Sequence, residues 1–249
     1  MPLVAAAVCP HPPIIVPELA GAAAHELDSL REACDAALTR LVDSGARRLV
    51  VVGADTETRQ YHLPIRGSFA PWGVPVEVVL GGSDGAVVEP GGLPLSLTVA
   101  AWLASRRPET RSLSWRLWGV AEGADVAACV RLADVVGAED DAPWALLAMG
   151  DGSACRGEKS PGYDDPRAQP YDDAVAAALA TADRAALLAL QPELSARLRV
   201  AGRAAWQVLA AAAGDGATWH GDLSYYAAPY GVSYFVATWT AAAASGASR

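Results

Sequence analysis

The first 53 residues alternate between two hydrophobic periods, and this alternation constrains the fold more than any other feature of the chain. A short apolar run at 3–9 is followed by helical spacing of apolar residues from about 18 to 44, and then by the β-branched run 48–53, which ends at glycine. Such a run is typical of a buried parallel strand, and the longer period is typical of an amphipathic helix. The chain therefore opens with a β-α-β unit, whose crossover we expect to be right-handed.

The rest of the chain continues in the same way. Helices are predicted at 94–105, 125–136, 171–190 and 192–213, strands at 76–80, 113–120, 144–149, 222–226 and 232–239, and a glycine-rich surface loop at 81–92. A chain of 249 residues, 52% of them hydrophobic, is large enough for one substantial core. The sequence predicts a single α/β domain over 1–249, with a central mixed, largely parallel sheet flanked by helices.

Composition limits the classes of binding partner and the cellular compartment that we expect for this protein. The formal net charge of -9 argues against a nucleic-acid partner, which needs a basic surface. The four cysteines form no C-x-x-C pair and are expected to be reduced thiols. No run reaches the roughly 20 apolar residues of a membrane span, and no leader pattern is visible at the start. We expect a soluble cytoplasmic protein with a small-molecule ligand and no membrane partner, and the sequence leaves a homo-oligomer open.

Polar residues follow three of the predicted strands directly. His11 lies in a proline-rich turn after the first strand, Asp55 follows the second, and Asp151 follows the strand at 144–149. Each has an ordinary structural interpretation, since aspartate often caps turns and an isolated histidine is often structural. Parallel strands, however, bring their carboxyl ends to one edge of a sheet, where α/β proteins bind ligands. The three side chains are therefore predicted to converge on a shared hollow, with His11 as a metal-capable group.

Three segments carry a resemblance to a known family. They are Cys9–Pro13, Met149–Ser153 and Ala228–Tyr234. Together they resemble the LigB-type family of class III extradiol ring-cleavage dioxygenases, and more narrowly its actinobacterial branch, over essentially the whole chain. The resemblance implies a single α/β domain around a mixed sheet. It also implies Fe(II) held by two histidines and a glutamate, with a catecholic substrate and O2 at the open positions of the metal.

The matched positions show where this chain departs from the family. His11 matches the first iron ligand, but Asp55 stands where the second histidine is expected. The family's catalytic histidine ends a Gly-Asp-x-Ser-His motif, and the matching residue here is Ala154. No glutamate near the C-terminus matches the third ligand, for which Asp222 or His220 are conjectural substitutes.

These departures leave the metal open. A set of one histidine and two carboxylates is harder than the family's set, so it suits Mg or Mn and selects ferrous iron less well. Fe(II) is the ion that the resemblance implies, and a metal-free site is the third alternative.

The loop after the strand at 144–149 supplies the remaining candidates. Asp151, Ser153, Arg156 and Lys159 are the candidate catalytic residues, because cations at a strand-end rim can receive a carboxylate or a phosphate. The alternative is that Arg156, Glu158 and Lys159 form a solvated charged turn.

Two functions remain after these observations. The first is a diverged, dioxygenase-like oxidoreductase that acts on a small aromatic, catechol-like substrate, although the missing imidazole at Ala154 removes an acid–base group typically worth about 10²- to 10⁴-fold in rate. The alternative is a non-catalytic descendant that binds a small molecule or a protein partner. The tyrosines at 225, 226, 230 and 234 either line the pocket or pack in the core, and packing is expected for most of them.

Overall fold

The computed structural model describes residues 3–81, 92–138 and 142–242, and within them the chain folds around a mixed seven-stranded sheet. The predicted α/β class is confirmed. A separate two-stranded sheet lies beside the helix at 95–105. The strands are β1 Leu3–Cys9, β2 Arg48–Asp55, β3 Arg59–Tyr61, β4 Ile65–Ser68, β5 Glu77–Leu80, β6 Ser114–Ala121, β7 Trp144–Met149, β8 Trp219–Ala227 and β9 Tyr234–Ala241.

The large sheet has the strand order β3-β6-β2-β7-β1-β9-β8. Its four central strands, β6, β2, β7 and β1, run parallel, whereas β3, β9 and β8 pair antiparallel to their neighbours. β4 and β5 form the small sheet. The interior strands read as nearly continuous apolar runs because helices cover both faces of the sheet.

Helices occupy most of the remaining described residues. They are α1 Pro17–Ala20, α2 Asp28–Asp43, α3 Leu95–Ser105, α4 Val126–Gly137, α5 Ala168–Thr181, α6 Arg184–Leu188, α7 Pro192–Arg197 and α8 Arg203–Ala212, with 3-10 turns at Pro13–Ile15, Gly21–Leu27, Ala70–Trp72 and Pro108–Ser112. α2 and α3 pack on one face of the sheet, and α4, α5 and α8 pack on the other. The helices within the described ranges are all too short or too polar to cross a bilayer.

Several predicted elements are divided in the structure. The long helix expected at 192–213 is α7 and α8, because Arg199 takes a left-handed backbone conformation, φ 54°, between them. Ala182, also at φ 54°, separates α5 from α6 in the same way. The first predicted helix begins as α1 and a 3-10 turn before α2. A left-handed residue ends a helix, and sequence periodicity does not reveal it when the residue is not glycine.

The predicted strand at 76–80 forms, but as β5 in the small sheet rather than beside β1 or β2. Most of the predicted loop at 81–92 lies outside the described residues.

The carboxyl ends of the parallel strands meet at one edge of the large sheet. Cys9 of β1 and Gly53 of β2 both pair with Met149 of β7, so these strands end at the same level. β9 runs the other way beside β1 and therefore begins at this edge, at Tyr234. We call this end of the sheet the carboxyl edge.

Candidate functional site

His11 lies at the carboxyl edge, in the turn that follows β1. Its side chain is only 7% exposed, and its Nδ1 atom is buried without a hydrogen-bond partner in the described part of the chain. The nearest acid oxygen, Oδ1 of Asp151, is 3.9 Å from Nδ1, which is too far for a hydrogen bond. The structure therefore leaves one buried imidazole nitrogen available to a partner that it does not contain.

Asp151 is held beside His11 by the backbone. Gly150 N donates to Cys9 O at 2.9 Å, which extends the pairing of β7 with β1, and His11 N then donates to Asp151 Oδ1 at 2.7 Å. No described residue donates to the second carboxyl oxygen. Burial raises the pKa of Asp151, and the charge and the backbone N–H of His11 oppose this rise. The structure thus brings His11 and Asp151 together, as the sequence predicts from the parallel strands.

Asp55 also lies at this edge, but its carboxylate is bound by outer elements of the sheet. Oδ1 accepts from Thr56 N at 2.7 Å, and Oδ2 accepts from the hydroxyl of Tyr61 at 2.6 Å. The guanidinium Nε of Arg59 is 3.6 Å from Oδ2. The carboxylate lies over Gly119 of β6, where a Cβ atom would come within 2.3 Å of Oδ2. Among the described residues, Asp55 makes no hydrogen bond or ion pair with His11 or Asp151.

The conjectured third ligands lie away from the edge. Asp222 and His220 are in β8, and Asp222 pairs with Thr238, which pairs in turn with Ala7 of β1. Ala7 is four residues before His11, a separation of about 13 Å along a strand. Asp222 is also bound by Arg40.

The donor set does not fit the iron centre that the resemblance implies. That centre needs three protein ligands, and the described residues contain no group of three or more His, Cys, Asp or Glu side chains that could hold a metal ion. Asp55 has both oxygens engaged, and Asp222 and His220 are distant. Of these candidate ligands, His11 and Asp151 are the two that lie together.

The long loop after β7 is anchored by a buried carboxylate that sequence reasoning missed. Asp172, in α5, is fully buried and accepts from Ser153 N at 2.9 Å, from the hydroxyl of Ser153 at 2.5 Å and from that of Ser233 at 2.6 Å. Nη1 of Arg156 is a fourth donor, at 3.2 Å. The hydroxyl of Ser153 is therefore a structural donor.

The Arg156 side chain links its loop to three other parts of the chain. Besides Asp172, its Nη1 atom reaches the hydroxyls of Tyr226 and Ser233, each at 3.2 Å. Burial lowers the pKa of Arg156, but its bonds to Tyr226 and Asp172 outweigh this effect and raise it. The side chain joins the loop to α5, to β8 and to the start of β9.

Lys159 and Glu158 are exposed on the same loop. They line an open groove of about 550 Å³ between the loop and the turn at 228–231. Neither makes an ion pair with a described residue. This arrangement favours the solvated charged turn over a buried catalytic cation.

Ala154 stands where the resemblance places a catalytic histidine, and its backbone is fixed on both sides. Its N–H donates to Leu198 O, and its carbonyl accepts from Gly162 N. The residue is nearly buried, so a methyl group occupies the position of the expected imidazole.

Tyr234 lies at the carboxyl edge, and it is one of the four tyrosines for which the sequence left pocket lining and packing open. It is 2% exposed, and its hydroxyl makes no hydrogen bond to a described residue. Burial, with contributions from the nearby Asp151, Tyr225 and Tyr230, raises its pKa well above the usual value. Only the antiparallel pairing of β9 with β1 reveals its position, and no local sequence signal predicts that pairing.

Comparisons with known proteins add no family. No family model matches the chain, and no curated protein matches it. Among solved structures, the crystal structure of the uncharacterized protein JW3007 from Escherichia coli K12 is similar, with 15% identity and a TM-score of 0.49 over 95% of this chain and 99% of that chain. At that similarity the match carries no argument about activity.

Proposed function

We propose that the chain binds a small aromatic, catechol-like molecule at the carboxyl edge of its sheet, through His11 and Asp151, as a diverged relative of the LigB-type extradiol dioxygenases. The observation that carries the proposal is the unpartnered Nδ1 atom of His11 beside the Asp151 carboxyl. An unsatisfied buried polar atom costs about 1–3 kcal/mol, so a ligand hydroxyl that bonds to it removes an existing penalty.

The aromatic class is supported by the resemblance and by the residues near this pair. Tyr225, Tyr230 and Asp151 are close enough to Tyr234 to raise its pKa, and Tyr225 has the same effect on Tyr230. The hydroxyl of Tyr230 also donates to Glu26 at 2.7 Å, which joins the turn after β8 to the segment after His11. Tyrosine rings offer an aromatic ligand edge and face contacts worth about 0.5–1.5 kcal/mol each.

Ring cleavage is the second candidate function. One observation favours it: an imidazole with a free nitrogen and a carboxylate lie together, and both are donors that suit Fe(II). Two observations weaken it, namely the engaged oxygens of Asp55 and the methyl group at Ala154. Binding without turnover is therefore the function that the geometry supports better.

The test combines calorimetric titration with a panel of catechols and oxygen uptake after anaerobic loading with Fe(II). We expect saturable binding that falls at least tenfold in His11→Ala, without oxygen uptake. His25→Ala is the matched control, since that side chain is 94% exposed and its ring bonds to Asp28, and it should bind like the wild type. Oxygen uptake that requires His11 would favour the second candidate. A wild-type chain that binds none of the panel would overturn both.

A further inference from the structure

We propose that Tyr234 is the third polar group of this site, and that His11, Asp151 and Tyr234 recognise a neutral ligand without a metal ion. The inference rests on the proposed function and deepens it. The ligand class is a neutral molecule that carries a hydroxyl donor next to an oxygen acceptor.

The strand register places these three residues in a row. β1 pairs with β7 in parallel as far as Cys9 and Met149. Two further residues beyond the end of each strand give His11 opposite Asp151. β1 pairs with β9 antiparallel, with Val8 opposite Ala237, and three further steps give His11 opposite Tyr234. His11 is therefore flanked by the other two residues at the carboxyl edge.

The same register places the three side chains on one face of the sheet. Alternate residues of a strand share a face. Cys9, Met149 and Tyr234 all belong to the core cluster beneath α2 and α3, and His11 and Asp151 follow Cys9 and Met149 by two residues. The hydrogen bond from His11 N to Asp151 Oδ1 keeps these two residues together beyond the ends of β1 and β7.

Two members of the row are buried residues whose polar atoms lack partners among the described residues. His11 is 5% exposed, and its Nδ1 atom is buried without a partner. Tyr234 is 2% exposed and its hydroxyl makes no hydrogen bond to a described residue, although it is not one of the fully buried unpartnered atoms. Buried polar groups are nearly always hydrogen-bonded, so the unpartnered His11 Nδ1, with a Tyr234 hydroxyl that has no protein partner near it, favours a guest between them. In the tautomer protonated on Nε2, His11 Nδ1 accepts a hydroxyl proton from the guest, and Tyr234 donates to a guest oxygen.

The charge of the row favours an organic guest over a cation. A divalent ion is held by several anionic or imidazole donors, whereas the row offers one carboxyl, one imidazole and one phenol. The phenol keeps its proton because burial raises its pKa. Asp55, which would add a second carboxylate, is bound to Tyr61 and Thr56.

The test measures binding of catechol and of its monomethyl ether by calorimetry, in EDTA and after addition of Mn²⁺. We expect Tyr234→Phe to weaken catechol binding about tenfold or more, with EDTA and Mn²⁺ having no effect. The matched control is Tyr163→Phe, because Tyr163 is 74% exposed, and it should bind normally. The monomethyl ether keeps a hydroxyl beside an ether oxygen that can accept from Tyr234, so the Tyr234→Phe substitution should weaken its binding to a similar extent.

A second measurement separates ligand recognition from a structural role. Without ligand, Tyr234→Phe removes an unpartnered hydroxyl, so thermal stability should be unchanged or higher. A lower melting temperature would show that the hydroxyl has a structural partner and would overturn the inference. Equal binding by Tyr234→Phe and the wild type, or stoichiometric Mn²⁺ binding that requires His11, would also overturn it while leaving the proposed function standing. A wild type that binds nothing would overturn the proposed function itself, and the inference with it.

Discussion

Asp55 and Asp151 both follow parallel strands, yet their hydrogen-bond partners give them different properties. Asp55 receives bonds on both oxygens, including one from a buried tyrosine hydroxyl, so its charge is compensated where it lies. Asp151 receives one bond, from the backbone of His11, and its side chain is 14% exposed. A carboxyl with a single donor keeps an oxygen for a ligand and bears a larger desolvation cost.

The first prediction concerns the pH dependence of stability at Asp151. Burial raises its pKa above the unfolded value of 3.8, so the folded state binds this proton more tightly. The free energy of unfolding therefore falls as pH rises from 3.8 through the folded pKa, and it stays lower above that range. Asp151→Asn still accepts from His11 N, so it should equal or exceed the wild type in urea unfolding at pH 7, with the gain disappearing near pH 3.

Asp165 is the control with the opposite sign. Its bonds to Arg167 lower its pKa from 3.8 to about 2, so its stabilising effect is present above 3.8 and is lost as pH falls through about 2. Asp165→Asn should therefore lose stability at pH 7 and match the wild type near pH 2. If both variants changed stability in the same direction at pH 7, the assignment for Asp151 would be wrong.

The second prediction concerns Asp172. Its replacement by alanine leaves two serine hydroxyls, one backbone N–H and the Arg156 guanidinium without their buried acceptor. Removing one partner of a buried ion pair costs about 3–5 kcal/mol, which we expect for Asp172→Ala in urea unfolding. Asp173→Ala is the matched control. The Asp173 carboxylate is next in sequence but exposed, so its removal should lower the free energy of unfolding far less. Equal effects of the two substitutions would contradict the role given to Asp172.

At the scale of elements, the contact between β8 and α5 depends on a single missing side chain. Gly221 of β8 lies against the C-terminal end of α5, where a Cβ atom would be 2.6 Å from Leu179 O and 2.7 Å from Ala182 N. These are backbone atoms, so they cannot rotate away as a side chain can. β8 and α5 therefore approach as closely as they do because residue 221 is glycine.

The third prediction follows from this approach. Gly221→Ala should lower the free energy of unfolding by about 1–3 kcal/mol, the usual cost of inserting a methyl group into a packed region, and the melting temperature should fall accordingly. Gly216→Ala is the control, since no atom lies within 4 Å of its Cβ position, and it should stay within about 0.5 kcal/mol of the wild type. A wild-type melting temperature for Gly221→Ala would show that the two elements separate freely.

At the scale of the whole molecule, the two faces of the sheet have separate cores, and the four cysteines are divided between them. Cys9 and Cys34 lie beneath α2 and α3, and Cys129 and Cys155 lie on the opposite face. All four thiols are free and buried. Burial raises the pKa of three of them, Cys34, Cys129 and Cys155, which further lowers the thiolate fraction.

The fourth prediction is that these thiols report global unfolding. With Ellman's reagent at pH 8, the native chain should release less than one equivalent of chromophore in the first minutes, and the chain in 6 M guanidinium should release four. Rapid reaction of one thiol in the native state would show that the core around it opens locally.

The sequence determines the main strands and the longest helix of the first half of this protein, together with the polar residues that end its parallel strands. Hydrophobic period depends on neighbours only a few residues away, so β1, α2, β2 and β7 can be predicted from the sequence alone. His11 and Asp151 could be predicted to meet, because parallel strands that end together must present their next residues at one edge.

Only the tertiary structure decided which of those residues share a site. The hydroxyl of Tyr61 binds Asp55, α5 brings Asp172 under Ser153, and β9 brings Tyr234 to the edge that carries His11. Apart from Asp55 and Tyr61, these partners are separated by between 19 and 223 positions, and no local pattern encodes their pairing. Packing of helices on both faces fixes the strand order, and the strand order then decides which polar groups find a hydrogen-bond partner among the described residues.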